Sequence, residues 1–316
     1  MFGHRGPLGA ALLGSCSAVA SPAVNMLISR SAITPGPIQS MTNQLTLATD
    51  RLRLTIDVAY GGRVVGLVDN ASGRDWLVPD RGPRDLSAIV FGADVARGWD
   101  ECFPTVAPVD GRPFGWPGQL RDHGALWGVP TETTLAGNRL NTRWSADQFV
   151  FSREIVAEGA TLSLGYAVTN TGAAPFSYLY SQHMLLATRP GDTIALEGIK
   201  TLTDIDTGKD EMWPVPALAD VQGIESGIAS KLYGAVAGDI SARIGDAAGT
   251  INIAWHRDDM PSVGLWIDYG GWPVGGPPVH QVAIEPTTAQ AHGLTPGQRS
   301  LASGETHRWS ISIRLD

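Results

Sequence analysis

The chain has 316 residues, 23 Lys and Arg against 31 Asp and Glu, a net charge of -8, and two cysteines, Cys16 and Cys102. An acidic balance with no basic run argues against nucleic acid and anionic membrane as partners and for a small neutral or polar ligand. Two cysteines exclude a disulfide framework and a Cys-rich zinc site.

The first forty residues differ from the rest. "MFGHRGPLGAALLGSCSAVASPAVNMLISR" combines a weakly basic start, a short apolar run and "SAVASPA", the pattern of an export signal with a small-residue cleavage site. The competing reading of residues 1–40 is a start placed too early or a disordered leader, because "MTNQLTLATDRLRLTID" from Met41 runs directly into an alternating strand. A cytoplasmic location is expected, or a periplasmic one if residues 1–40 are a signal peptide. No run reaches the roughly 20 apolar residues of a membrane span.

From residue 41 a two-residue period dominates. Leu45, Leu47, Leu52, Leu54 and Ile56 alternate around one turn, Leu162, Leu164, Tyr166 and Val168 follow, and Trp309, Ile311, Ile313 and Leu315 close the chain. Turn signals separate them, among them "DNASG", "PVDGRP", "TNTGAAP" and "GDAAG", and a helical run is expected only over residues 217–236. The 38 glycines and 21 prolines fit many turns between short strands, and the 10 tryptophans offer flat indole surfaces that could cover a sugar ring. With no linker-like tract and no internal repeat, residues 41–316 read as one large antiparallel β-sandwich with a broad concave face.

Most histidines carry little signal: His256, His280, His292 and His307 sit among polar, loop-like neighbours and read as solvated. His183, in "SYLYSQHMLLATRP", lies on an aromatic and aliphatic strand where an imidazole would be partly buried and would need a partner. Glu285, in "HQVAIEPTT", shares a strand face with Ala283, while Val282 and Ile284 take the other. A carboxylate at the end of an apolar strand is a candidate for a raised pKa and for general base catalysis. Taken singly, a strand His is more often a core residue, a strand-end Glu a surface charge, and Asp-His-Gly at 122–124 ordinary turn chemistry. Even so, "PFGWPGQLRDHGALWG" gathers Trp116, Arg121, His123 and Trp127 in one glycine-rich loop.

Three segments, "GWDECFPTVAP", "LRDHGALWG" and "LWIDYGGWPV…HQVAIEPTT", together resemble in order and spacing the aldose 1-epimerase (galactose mutarotase-like) family, especially its divergent bacterial branch. The likeness runs from about residue 45 to the closing "LASGETHRWSISIRL". It implies an all-β fold, a large antiparallel β supersandwich, that binds a monosaccharide in an open cleft and interconverts its α and β anomers without a cofactor. By that resemblance Glu285 in "AIEPTT" is the base that takes the C1 hydroxyl proton, His183 in "LYSQHMLLA" is the acid that protonates the ring oxygen, and His123 in "DHG" donates a hydrogen bond to the sugar oxygens. Trp127, Trp116 and Trp272 are candidates to stack on the sugar, and Arg121, Asp100 and Asp268 to bind its hydroxyls.

The sequence departs from the family pattern at two places. Gly124 is followed by Ala125 where better-known members have a second glycine, and "HMLLA" replaces an aromatic-Asn context. The sugar-binding Asp has no certain counterpart, since Asp258, Asp259 and Asp268 all lie in the right region. A phosphorylated sugar would need a second arginine to join Arg121. Three other readings stand beside the epimerase: a non-catalytic carbohydrate-binding sandwich, a metalloenzyme on His123, His183 and Glu285, and a glycosidase pairing Asp100 or Glu101 with Glu285. The favoured reading has no metal, a small aldose as its partner, and a monomer or weak homodimer.

Overall fold

Period-two alternation turns one face of each segment toward a core and the other toward solvent, and such segments pair edge to edge. The computed structural model describes residues 43–79, 92 and 95–316; the expectations for residues 1–40 lie outside them. Strands β1 (Gln44–Ala48), β2 (Leu52–Asp57), β3 (Arg63–Asp69) and β4 (Trp99–Cys102) come first, then the short pair β5 (Val109–Asp110) and β6 (Gln119–Leu120). A meander follows in β7 (Glu132–Ala136), β8 (Arg139–Ser145), β9 (Phe149–Glu158) and β10 (Thr161–Asn170). After β11 (Phe176–Ser177) come β12 (Ser181–Leu186), β13 (Thr193–Leu196), β14 (Thr201–Asp204) and β15 (Asp210–Met212). The chain closes with β16 (Ile228–Ala235), β17 (Ile240–Asp246), β18 (Gly249–Trp255), β19 (Ser262–Tyr269), β20 (His280–Thr287), β21 (Ser300–Leu301) and β22 (Thr306–Leu315).

These strands form a ten-stranded sheet, β1-β2-β3-β4-β12-β20-β19-β16-β14-β15, and an eight-stranded sheet, β13-β17-β18-β22-β10-β9-β8-β7. One apolar cluster joins the two, with Leu54, Val64, Trp99 and Ile284 from the larger sheet and Phe151, Leu164, Ile253 and Ile313 from the smaller. The all-β antiparallel expectation holds. The helical run expected over 217–236 does not form: one turn at Pro216–Ala219 is followed by a 3-10 turn at Ile224–Ser226 and then by strand β16. Gly227, at φ 65°, ends the turn, and the strand begins directly after it. Among the described residues no helix is long and apolar enough to cross a membrane.

Successive residues of β4 point to opposite faces, which separates Asp100 from Glu101. Glu101 enters the core between the sheets, where Arg153 Nη1 donates to Oε1 at 2.9 Å and the Tyr166 and Tyr180 hydroxyls donate at 3.1 and 2.6 Å. Burial nevertheless holds the Glu101 carboxyl above its usual range, against the pull of Arg153 and Tyr180. A glycosidase pair of Glu101 with Glu285 is therefore ruled out by geometry, because the two carboxylates lie on opposite faces of the sheet. Asp100 faces the other way and pairs with Arg63 at 3.0 Å.

The Glu101–Arg153 pair makes a prediction about stability. Arg153→Met leaves a buried carboxylate without its counter-charge and should destabilise by about 3–5 kcal/mol in urea unfolding. Arg112→Met breaks a pair whose side chains are 73% and 43% exposed and should leave the urea midpoint close to that of wild type.

Candidate active site

Five adjacent strands, β4-β12-β20-β19-β16, carry the candidate chemistry on the face turned away from the core. Ser181 pairs with Thr287 and Leu185 with Ala283, so His183 stands level with Glu285 on the neighbouring strand. On its other side Glu285 pairs with Gly264, whose β19 neighbour Trp266 pairs with Lys231 of β16. Gly264 is what lets Lys231 reach across. A Cβ there would lie 2.9 Å from Glu285 Oε2 and 3.0 Å from the Tyr233 ring.

Glu285 has no exposed surface. Its Oε2 accepts from Lys231 Nζ at 2.6 Å and from Ser181 Oγ at 3.1 Å, whereas Oε1 has no hydrogen-bond partner. The sequence points to the burial of this carboxylate; the structure adds a lysine counter-charge beside it. A buried carboxylate without such a partner would cost several kcal/mol.

His123 sits in the loop between β6 and β7 at φ 58°, a left-handed conformation rare outside glycine. Two backbone bonds tie this loop to the segment after β4, His123 N to Val106 O at 2.7 Å and Ala125 N to Phe103 O at 2.6 Å, and a third closes the turn itself, Gly124 N to Arg121 O at 3.1 Å. Gly124, at φ 76°, packs so closely that a Cβ would lie 2.1 Å from Phe103 O, which excludes any other residue. The loop delivers the His123 ring edge-on to His183, centroids 4.7 Å apart, with Nδ1 against Asp122 Oδ1 at 2.8 Å. Burial, and then the charges of His123, Lys231 and His292, push the pKa of His183 well below the usual histidine value.

A pocket of about 430 Å³ opens over these groups, with His123, His183, Lys231, Trp266, Trp272 and Glu285 in its wall. Val106, Pro108, Ile205 and His292 complete much of the rest. A larger groove of about 600 Å³ over β7–β10 and β22 has no histidine in its lining and no carboxylate without exposure.

The other candidates from the sequence fall in three places. Trp272 is in the pocket, edge-on to Trp266. Trp127 is 1% exposed and lies behind His123, and Trp116 belongs to the core with its indole N–H donated to Ser177 O, so neither turns a face to a ligand. Arg121 donates to the backbone carbonyls of Gly124 and Trp127 and so braces its own loop. Asp100 is held by Arg63. Asp268 is fully buried and caps the following turn by accepting from Gly270 and Trp272 N–H, both at 3.1 Å; burial raises its pKa to about 6. Asp259 lies 3.9 Å from His307, which is only 8% exposed and not solvated as expected. None of Arg121, Asp100, Asp258, Asp259 or Asp268 lines the pocket.

Sequence reasoning missed Lys231, Trp266, Asp122 and His292. The last reads as solvated in the sequence, yet it faces the pocket, accepts or donates at Tyr233 Oη over 2.9 Å, and has its pKa lowered to about 4 by burial and then Lys231. Lys231 had a signal in "IASKLYGA", a lone charge in an apolar strand, which the helical reading of that segment hid. As for metal donors, those that converge among the described residues are Cys102, His123 and His183, and Glu285 is not one of them.

No protein-family model and no curated protein matches the sequence. Solved structures do. The Slr1438 protein from Synechocystis sp. PCC 6803 is 17% identical with a TM-score of 0.68, over 92% of this chain and 99% of that one. A galactose mutarotase related enzyme from Lactobacillus acidophilus is 13% identical with a TM-score of 0.67, over 86% and 97%. A galactose mutarotase-like protein from Lactobacillus casei ATCC 334 is 13% identical with a TM-score of 0.60, over 86% and 100%. Identities this low carry the architecture alone, and the architecture of this chain is the large antiparallel β supersandwich of the galactose mutarotase-like proteins.

Proposed function

We propose that the protein is an aldose 1-epimerase that interconverts the α and β anomers of a free monosaccharide, with residues 41–316 acting as one domain. One observation carries the reading: a carboxylate with no exposed surface keeps a single oxygen, Glu285 Oε1, free of partners beside a pocket that also holds three histidines and a tryptophan pair. Lys231 and Ser181 occupy Oε2, so Oε1 is the oxygen that takes the proton of the C1 hydroxyl. As the C1–ring oxygen bond breaks, protonated His183 gives its proton to the ring oxygen, leaving an open-chain aldehyde. Rotation about C1–C2 and the reverse transfers close the other anomer. Each positioned group supplies about 10² to 10⁴-fold.

His123, oriented by Asp122, donates to the sugar oxygens, and Trp266 with Trp272 covers an apolar face of the ring. A free sugar fits better than a phosphorylated one. Among the described residues no arginine lines the pocket, and the lysine there, Lys231, is already matched by Glu285.

Polarimetry or NMR exchange on fresh α-glucose and α-galactose tests the activity. Glu285→Gln and His183→Asn should each slow exchange at least roughly 10²-fold. Wild type inert on every free and phosphorylated aldose would replace catalysis with sugar binding alone.

The lowered pKa of His183 sets the sign of the pH dependence. The acid must be protonated to act, and kcat/KM reports the free enzyme. Its alkaline limb should therefore be centred below pH 6.5, the rate falling as pH rises through neutrality. A profile flat from pH 6 to 8 would remove His183 from the acid's role.

Gly264→Ala crowds both Glu285 Oε2 and Tyr233. It should lower kcat at least roughly tenfold while costing about 1–3 kcal/mol of stability, leaving a folded chain.

A further inference from the structure

Cys102 takes no part in the proton transfers described above, yet it lies beneath them. It pairs with Ser181 across β4 and β12, on the same face as Asp100 and His183, and is fully buried. Its sulfur and one ring nitrogen each of His123 and His183 lie within 4.8 Å of one another. A tetrahedral ion with bonds of about 2.0–2.3 Å holds its ligands roughly 3.5 Å apart, so side-chain rotations of about an ångström would close the shell.

We propose that Cys102, His123 and His183 form a binding site for a divalent cation of the zinc class, and that its occupation switches the pocket off.

The donor set defines the ion: one thiolate and two imidazoles suit zinc and its stand-in cobalt, and disfavour magnesium or calcium. Three protein ligands leave a fourth position, which opens to the pocket that His123 and His183 line. His123 is already arranged as a ligand. Its Nδ1 faces Asp122 Oδ1 at 2.8 Å, which directs Nε2 inward and reproduces the carboxylate–histidine–metal arrangement that fixes such ligands. Gly124, pressed against Phe103 O, locks this loop to the residue that follows Cys102. The charge of Lys231 reaches both Cys102 and His183 and would oppose a second cation, but Glu285 matches it. Binding exchanges the Cys102 thiol proton, released to solvent, for the metal.

The switching half rests on the epimerase reading, because a metal on His183 removes the acid and one on His123 the hydroxyl donor. The binding half does not. The test uses the full chain, stripped with a chelator and titrated with Co²⁺ and Zn²⁺. Wild type should take up one equivalent of Co²⁺ with a thiolate-to-cobalt absorption band and tetrahedral d–d intensity. Cys102→Ala should lose the band and bind at least roughly 100-fold more weakly, and Asp122→Asn should weaken binding about 10- to 100-fold while keeping the band. If Cys102→Ala does not fold, Cys102→Ser and protection by Zn²⁺ of the wild-type Cys102 thiol from alkylation, read separately from Cys16, decide the same question. Zn²⁺ should stop anomer exchange by wild type and not by Cys102→Ala at the same concentration. No band at one equivalent, or equal affinity in Cys102→Ala, overturns the site. A band without inhibition overturns the switch and leaves the site. A chain that exchanges no sugar but shows the band fails the epimerase reading and the switch with it, while the metal site stands.

Discussion

The ion pair between Lys231 and Glu285 is the constraint around which the concave face is built. Neither charge could remain in place alone: Glu285 has no exposed surface and Lys231 only 5%. An uncompensated ion at that depth would either leave its charge behind or unfold its surroundings. The pair requires Gly264, because the two side chains meet diagonally across that residue. It requires Ser181 as well, whose hydroxyl completes the shell of Oε2. Four strands of the sheet are thereby tied to one carboxylate, which makes the position of Oε1 a property of the sheet and not of a loop.

A second buried pair, Glu101 with Arg153, serves the opposite face of the same sheet. It links β4 to β9 and so connects the two halves of the sandwich, with Tyr166 and Tyr180 filling the remaining acceptor sites. The carboxylates of the two pairs belong to strands two apart, and neighbouring residues of β4 serve both sides: Asp100 and Cys102 face the site, Glu101 the core. A one-residue slip of β4 would exchange these roles, burying Asp100 in the core and turning Glu101 to the pocket. The inter-sheet network therefore fixes the register on which the site depends.

Much of this was legible in the sequence. Alternation at Leu52, Leu54 and Ile56, at Leu162 and Leu164, and at Ile311 and Ile313 announced strands because half-buried strands repeat every two residues, and Glu285, His183 and His123 stood out as polar groups in apolar or constrained settings. What the sequence hid were relations across strands. Lys231 becomes meaningful only when β16 lies beside β19, and Gly264 looks like any other glycine until its missing Cβ is found to be the space an ion pair crosses. Trp127 and Arg121 misled for the complementary reason: nearness to His123 along the chain suggested a shared site, but Trp127 is buried behind His123 and the Arg121 guanidinium is spent on the carbonyls of its own loop. His292 and His307 sit in polar sequence and yet pack against Tyr233 and Tyr178.

Lys231 also sets a tension within the pocket. The same charge that holds Glu285 disfavours protonation of the imidazoles around it: His183 is pushed well below its ordinary value and His292 down to about 4, in both cases by burial first and by Lys231 in addition. In the proposed exchange His183 must therefore acquire its proton against the field of the cation that holds Glu285. Asp122, like Glu285, acts against that field at His292, and it lies next to His123, the one described residue outside glycine held at positive φ. The left-handed backbone sets the His123 ring edge-on to His183, centroids 4.7 Å apart, where its charge adds to that of Lys231 in disfavouring protonation of His183.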